Sequence, residues 1–238
     1  MSKHSKWSKV KHQKAVTDVR KAAVYTKMAR LITVAAHEGG GDPAFNFKLR
    51  TAIDSALAAN LPRENIERAI KRGTGEIKGD ATESVFYEGY GPGGLGILVE
   101  ALTDNRNRTS GNIKYLFSSH GGNLAGSGAV QWMFDRRGMV RLSDKGPLPG
   151  PTVLSLIDAG AFEIDGEGDE VAISCKPDAL GKIRAATDAL GLHVAEAGFE
   201  WKAKEPKDID DAVGEQLRVL VEALEEDEDV SEVFTAAD

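Results

Sequence analysis

The side chains best suited to bind a ligand lie in the first 16 residues, and a polyanion is the ligand they fit. Lysines alternate there with two histidines and one tryptophan in the sequence MSKHSKWSKVKHQKAV. Lysine ammonium groups pair with phosphates without demanding a particular base, and a tryptophan can stack on an unpaired base. The candidate residues of this basic arm are Lys3, His4, Lys6, Trp7, Lys9, Lys11, His12 and Lys14. The alternative is that the lysines are solvated and Trp7 packs on the helices that follow.

More basic residues extend this candidate surface along two helices that the sequence predicts. The first predicted helix carries four of them, and the third predicted helix ends in two, where they would also complement the helix dipole. These candidates are Arg20, Lys21, Lys27 and Arg30 on the first helix, and Lys71 and Arg72 on the third.

A second candidate anion site lies in the sequence DNRNRT at residues 104–109, between a predicted strand and a predicted helix. Exposed amides at a helix amino terminus bind anions, and Arg106 and Arg108 would reinforce them. The alternative is a purely structural connection, in which Asp104 pairs with an arginine and Thr109 caps the helix. Both interpretations remain open on the sequence alone.

The charge of the chain is divided unevenly, which separates a basic module from an acidic body. The net charge is −7, but residues 1–78 hold 16 Lys and Arg against 7 Asp and Glu, a net of +9. Residues 79–238 hold 14 against 30, a net of −16. This asymmetry is typical of a polyanion-binding module joined to an acidic body. The acidic run at 225–229 is predicted to be a solvated helix end that would repel nucleic acid.

Enzymatic chemistry finds little support in the sequence. The five histidines are scattered, no HExxH motif is present, and the glycine-rich run at 89–94 lacks the Lys and Ser/Thr of a phosphate-binding P-loop. The single Cys175 precludes an intramolecular disulfide and is predicted to be a small buried apolar side chain. We expect no catalytic residues, no metal and no cofactor. No apolar stretch approaches a membrane span and no signal peptide is recognisable, so we expect a cytoplasmic protein.

Hydrophobic periodicity predicts an α+β fold that starts with a three-helix domain at 1–78. The first helix ends at the glycines of 39–41, Asp42 is the expected N-cap of the second, and Pro62 opens the third. Gly73 is the expected C′ glycine of that third helix.

Strand patterns follow the helical domain and predict two α/β domains of ferredoxin-like type, one inserted in the other. The middle domain comprises 82–134 plus 206–238, with a helix at 110–120 and a strand at 129–134. Residues 136–204 read as a self-contained βαββαβ unit. The tail offers one helix and one strand, which cannot bury both apolar faces alone. We therefore expect it to return to the middle sheet.

Seven short segments, in order along nearly the whole chain, resemble the YebC family, which includes bacterial members and a mitochondrial translational activator. They are HSKW at 4–7, GGGDP at 39–43, LPRENIERAIKRG at 61–73, YEGYGPGG at 87–94, TDNRNRT at 103–109, HGGNL at 120–124 and ALEEDEDV at 223–230. The resemblance implies three domains and no known catalytic activity. The chain departs from the family after Thr109, where it reads Ser-Gly-Asn and the family usually places a glutamate three residues on.

The resemblance implies two kinds of function. Bacterial members are named probable transcriptional regulators that bind DNA, and others are similar to translation factors that ease elongation through proline-rich stretches on the ribosome. We expect a ribosome-associated translation factor, with RNA or the ribosome as partner and a monomeric state. The alternatives are a DNA-binding transcriptional regulator and a protein-binding adaptor. A helix-turn-helix motif is not recognisable, which favours RNA.

Overall fold

In the computed structural model the described residues are 18–77, 82–144, 146–166 and 170–237. They form three helices followed by two four-stranded antiparallel sheets with helices packed on them. This is the α+β fold that the periodicity predicts. Each of the three parts has its own cluster of buried apolar side chains, and a fourth cluster joins the two sheets.

The helical part consists of α1 (Asp18–Gly39), α2 (Phe47–Ala58) and α3 (Arg63–Gly73). The predicted N-cap of α2 is wrong, because the helix begins four residues later and Asn46 caps it by accepting a hydrogen bond from the Leu49 amide. The buried Asn46 amide also donates to the carbonyls of Ala35 and Gly40, so it joins the end of α1 to the start of α2. Asp42 instead accepts from the Ala44 amide within a turn.

Gly73 has a different role from the one that the sequence predicts. It is the last residue of α3, followed by the C-cap Thr74, and the positive φ expected at a C′ glycine occurs at Gly75. A Cβ at Gly73 would lie 2.3 Å from the Thr33 carbonyl oxygen of α1. Glycine is therefore needed because the two helices approach closely, and not because of a left-handed turn.

The first sheet contains β1 (Glu83–Tyr90), β2 (Gly96–Thr103), β3 (Asn123–Leu124) and β8 (Val230–Thr235), in the order β3-β1-β2-β8. Helices α4 (Arg106–Ser119) and α7 (Asp211–Glu226) cover one face of this sheet. The last strand of the chain thus pairs with β2, in antiparallel register. The predicted strand at 129–134 is wrong, since Gln131–Met133 is a short 3-10 helix and β3 is the strand that follows α4.

The second sheet has the order β5-β6-β4-β7, from β4 (Phe134–Leu142), β5 (Ala161–Asp165), β6 (Val171–Cys175) and β7 (Val194–Ala203). With α5 (Gly150–Asp158) and α6 (Leu180–Ala189) it gives βαββαβ connectivity. Its first and third strands are central, as in a ferredoxin-like unit. The first sheet differs because its two central strands form one hairpin. Cys175 is fully buried as predicted, and burial raises the pKa of its thiol to about 11.

Candidate nucleic-acid interface

The predicted basic arm, Lys3 to Lys14, lies outside the described residues. Arg20 and Lys21 fall in the first turn of α1, and Lys27 and Arg30 follow on the same helix. Lys71 and Arg72 are exposed in the last turn of α3 and form no ion pair with another described residue. The phosphate contacts expected of these side chains remain predictions.

A buried carboxylate, Asp229, brings together two of the predicted arginines. The Arg30 Nη1 atom of α1 donates to Asp229 Oδ1 at 2.8 Å and to the Glu228 carbonyl at 2.6 Å. The Arg108 Nη2 atom of α4 lies 2.9 Å from both carboxylate oxygens. The Thr109 hydroxyl donates to Oδ2 at 2.7 Å. We call these four side chains the Asp229 junction, because it joins the helical part to the first sheet.

The junction keeps Asp229 charged although the residue is only 4% exposed. Burial raises the pKa of a carboxyl, but the hydrogen bonds from Thr109 and Arg108 and the positive charges of Arg30 and Arg108 outweigh it. The pKa of Asp229 is consequently lowered from its ordinary value. The predicted solvated acidic helix end is therefore wrong for Asp229, whose charge is neutralised inside the molecule.

The two arginines of the DNRNRT segment are both engaged within the chain. Arg108 also pairs with Asp104 at 2.9 Å, and Arg106 makes a two-pronged ion pair with Glu83 of β1. The hydrogen bond from Arg106 lowers the pKa of Glu83. This is the structural alternative that the sequence left open. A phosphate bound here would have to share the arginines with these carboxylates.

The start of α4 differs from the sequence prediction by four residues. Asn105 is the N-cap and accepts from the Arg108 amide, so α4 begins at Arg106. Thr109, the predicted cap, is fully buried in the second turn of the helix, and its hydroxyl lies 2.7 Å from that of Thr103. Thr109 thus contributes a hydroxyl to the junction and does not cap the helix.

A second buried carboxylate, Glu88 of β1, was not recognised from the sequence. Its two oxygens accept hydrogen bonds from the amides of Gly128, Val130 and Gln131 at 2.6, 2.7 and 2.8 Å. Burial opposes its ionisation, but the amides outweigh that effect and lower the pKa of Glu88. Glutamate is common in this chain, so no local signal distinguished Glu88; only its place opposite the 126–131 loop does.

The described part of the chain contains no group of three or more His, Cys, Asp or Glu side chains placed to hold a metal ion. Within the same residues, none of the helices is long and apolar enough to cross a membrane.

Comparison with known proteins identifies the family. The model of the TACO1/YebC protein N-terminal domain matches residues 5–76, and that of the TACO1/YebC second and third domain matches residues 82–237. The chain belongs to the TACO1/YebC family. The resemblance seen in the sequence motifs is thereby confirmed.

Relatives in this family match over nearly their full length. A "Probable transcriptional regulatory protein" of Moorella thermoacetica is 46% identical, covering 100% of this chain and 96% of that protein. One of Pseudothermotoga lettingae with the same name is 44% identical, covering 99% and 93%. A crystal structure of a conserved hypothetical protein from Aquifex aeolicus superposes with a TM-score of 0.88 at 38% identity, covering 98% of this chain and 97% of that one. The names of the two relatives describe regulatory proteins and not enzymes.

Proposed function

We propose that this TACO1/YebC-family chain is a nucleic-acid-binding regulatory protein that acts on transcription by binding DNA. The observation that carries the proposal is the separation of charge, +9 in residues 1–78 against −16 in the remainder. A net positive charge in one segment of an otherwise acidic protein draws that segment toward phosphates and holds the rest away. The names of the relatives favour transcription as the process regulated.

Each of the three domains would have its own role. Residues 1–78 would bind nucleic acid, and 82–134 plus 206–238 would hold that domain in place through the Asp229 junction. Residues 136–204 would form the inserted domain. The protein would act as a monomer in the cytoplasm.

The proposal is tested by mapping where the protein binds on DNA. Chromatin immunoprecipitation of the full chain, followed by footprinting on the enriched promoters, is expected to give discrete protected sites. The control is the charge-reversed arm, with Lys6, Lys9, Lys11 and Lys14 each changed to Glu, which should lose the footprint. Uniform coverage of the genome with no promoter enrichment would count against the transcriptional role.

The arm itself is tested by salt dependence. Because each phosphate contact releases counterions, the logarithm of the affinity falls linearly with the logarithm of the salt concentration. The charge-reversed arm is expected to weaken binding and to flatten that slope. A matched control changes Lys176, Lys182, Lys202 and Lys204 to Glu, and all four lie within the inserted domain. If the arm variant kept both affinity and slope, the arm would not be the contact.

A second function, a ribosome-associated translation factor that eases elongation through proline-rich stretches, is favoured by one observation. The described surface carries exposed aromatic side chains such as Tyr115 and Trp132, and unpaired bases of RNA stack on such side chains. Ribosome profiling of a deletion strain, with sedimentation of the protein on sucrose gradients, tests it. Unchanged pausing at proline-rich codons and no co-sedimentation with ribosomes would remove this second function.

A further inference from the structure

Helix α4 has a net positive charge, although it lies in the acidic part of the chain. Its 14 residues contain Arg106, Arg108 and Lys114 and no acidic residue, a net charge of +3, although residues 79–238 together carry −16. Its inner face is fully buried through Thr109, Ile113 and Phe117. The other face is exposed, and nothing in the core of the sheet explains its composition.

One ridge of that exposed face combines an arginine already paired with two carboxylates, a glycine and an aromatic ring. Arg108, Gly111, Tyr115 and Ser118 follow one another at spacings of three and four, which places them in line along a helix. Tyr115 is 70% exposed, which is unusual for a large aromatic side chain on a well-packed helix. Lys114 flanks the ridge and forms no ion pair with any other residue that the structure describes.

Gly111 has no structural reason to be glycine. It lies inside α4 with ordinary helical backbone, and a Cβ built on it would meet nothing within 4 Å. Alanine would fit there and would favour the helix more strongly. A glycine at such a position leaves a shallow notch, which allows the backbone of a ligand to approach the helix closely.

The Asp229 junction places this ridge beside the basic helix α1. Arg30 of α1 and Arg108 of α4 bind the same carboxylate, so the two helices meet there. On one side the ridge is bounded by negative charge, because the Asn112 amide faces the Asp227 carboxylate at 3.4 Å. A polyanion that follows the ridge would therefore be directed away from Asp227 and toward Lys114.

We propose that the outward face of α4 is a second contact for single-stranded nucleic acid. The sugar–phosphate backbone lies in the notch at Gly111, Lys114 pairs with a phosphate, and Tyr115 stacks on an unpaired base. The stacking requires an unpaired base, so a duplex is a poorer ligand for this face. The inference rests on the proposed nucleic-acid binding and adds to it a surface and a strand preference.

The test uses the full chain and three fluorescently labelled probes: a 20-nucleotide RNA, the DNA of the same sequence and the corresponding DNA duplex. Fluorescence anisotropy is measured for Tyr115→Ala, Tyr115→Phe, Lys114→Gln and Gly111→Ala. Matched controls are Leu154→Ala, an exposed apolar side chain of α5, and Lys182→Gln on α6. Thermal unfolding is recorded for every variant.

Tyr115→Ala is expected to weaken single-strand affinity about tenfold while Tyr115→Phe keeps it, because the stacked ring and not the hydroxyl binds. Lys114→Gln should weaken it severalfold. Gly111→Ala should raise the unfolding midpoint and yet weaken binding, a combination that a purely structural role cannot produce. Duplex affinity should change little. A loss on RNA alone, or on DNA alone, identifies which strand the face prefers.

The outcomes separate this inference from the proposed function. If the wild-type chain bound none of the probes, both would be overturned. If the wild-type chain bound and the charge-reversed arm did not, while Tyr115→Ala and Gly111→Ala bound single strands as tightly as wild type, only the role of α4 would be overturned.

Discussion

Asp229 and Glu88 are both buried carboxylates beside the first sheet, but they are neutralised in different ways. Glu88 accepts hydrogen bonds from three backbone amides of one short loop, 128–131. Asp229 accepts hydrogen bonds from an arginine of α1, 199 residues away along the chain, and from an arginine and a hydroxyl of α4, about 120 residues away. Glu88 therefore fixes a local loop, and Asp229 holds distant segments together.

The difference between the two carboxylates determines what can disturb each site. The amides that surround Glu88 are part of the folded backbone, and ions in solution do not compete effectively for them. Arg30 and Arg108 have partly exposed side chains, so salt screens them and other anions compete for them. The Glu88 site is structural, whereas the Asp229 junction can respond to the ionic environment, including a bound polyanion.

The largest effect is expected for Glu88→Ala. It leaves three backbone donors without their acceptor, and each buried unsatisfied group costs about 1–3 kcal/mol. Because water can reach the partly exposed amides, the free energy of unfolding should fall by about 3 kcal/mol in total. Urea denaturation followed by circular dichroism measures it. Glu67→Ala on the exposed face of α3 is the control, and a loss no larger than the control's would contradict the assignment.

A smaller loss is expected for Asp229→Asn. The substitution leaves two arginines without their shared counter-charge, but both reach solvent, so the free energy of unfolding should fall by about 2 kcal/mol. Hydrogen exchange should also increase in α1, because Arg30 no longer holds that helix to the body. Asp208→Asn, at an exposed position, is the control. Unchanged exchange in α1 would show that Arg30 is not what holds it.

Added salt should distinguish the two carboxylates, whereas both respond to pH in the same direction. Folding lowers the pKa of both carboxyls. Each carboxylate therefore stabilises the fold fully above the ordinary carboxyl range near pH 4, and this stabilisation is lost as the pH falls through the lower pKa of the folded state. Added NaCl at pH 7 screens ion pairs, so of these two carboxylates only Asp229 should contribute to the salt dependence of the urea midpoint. Asp229→Asn should therefore remove part of the salt dependence, and Glu88→Ala should keep it all. Equal salt responses in both variants would refute the comparison.

The smallest effect is expected for Glu83→Gln, which breaks the exposed ion pair with Arg106. Surface pairs of this kind contribute little because both side chains stay hydrated. The unfolding midpoint should not change measurably, while nucleic-acid affinity should rise slightly if Arg106 contacts phosphate. An unchanged affinity would indicate that Arg106 serves only the ion pair.

The sequence predicted those elements whose signals are local. The apolar spacing in α1, α3 and α7 and the alternation in the strands indicated the α+β fold. The helix starts were less accurate, because Asp42 and Asn46, or Asn105 and Thr109, are equally good caps by residue type. The choice depends on tertiary contacts, such as the Asn46 amide that donates to Ala35 and Gly40.

The candidate site was predictable only as a distribution of charge. Composition indicated that Arg30 and Arg108 could bind an anion, and the structure shows that their anion is Asp229 of the same chain. This pairing joins residues that no periodicity or motif relates. For the same reason the exposed ridge of α4 could not be recognised before the helix start and its buried face were known.

The pairing of β8 with β2, about 130 residues earlier in the chain, has a consequence for how the protein is made. The first sheet lacks its fourth strand until residues 230–235 have left the ribosome, because β8 pairs with the early strand β2. The second sheet is complete once β7 ends at Ala203. During synthesis the second sheet, although it starts later in the chain, can thus be completed before the first. The hydrophobic surface of β2 and α4 stays incompletely covered until α7 and β8 have been made.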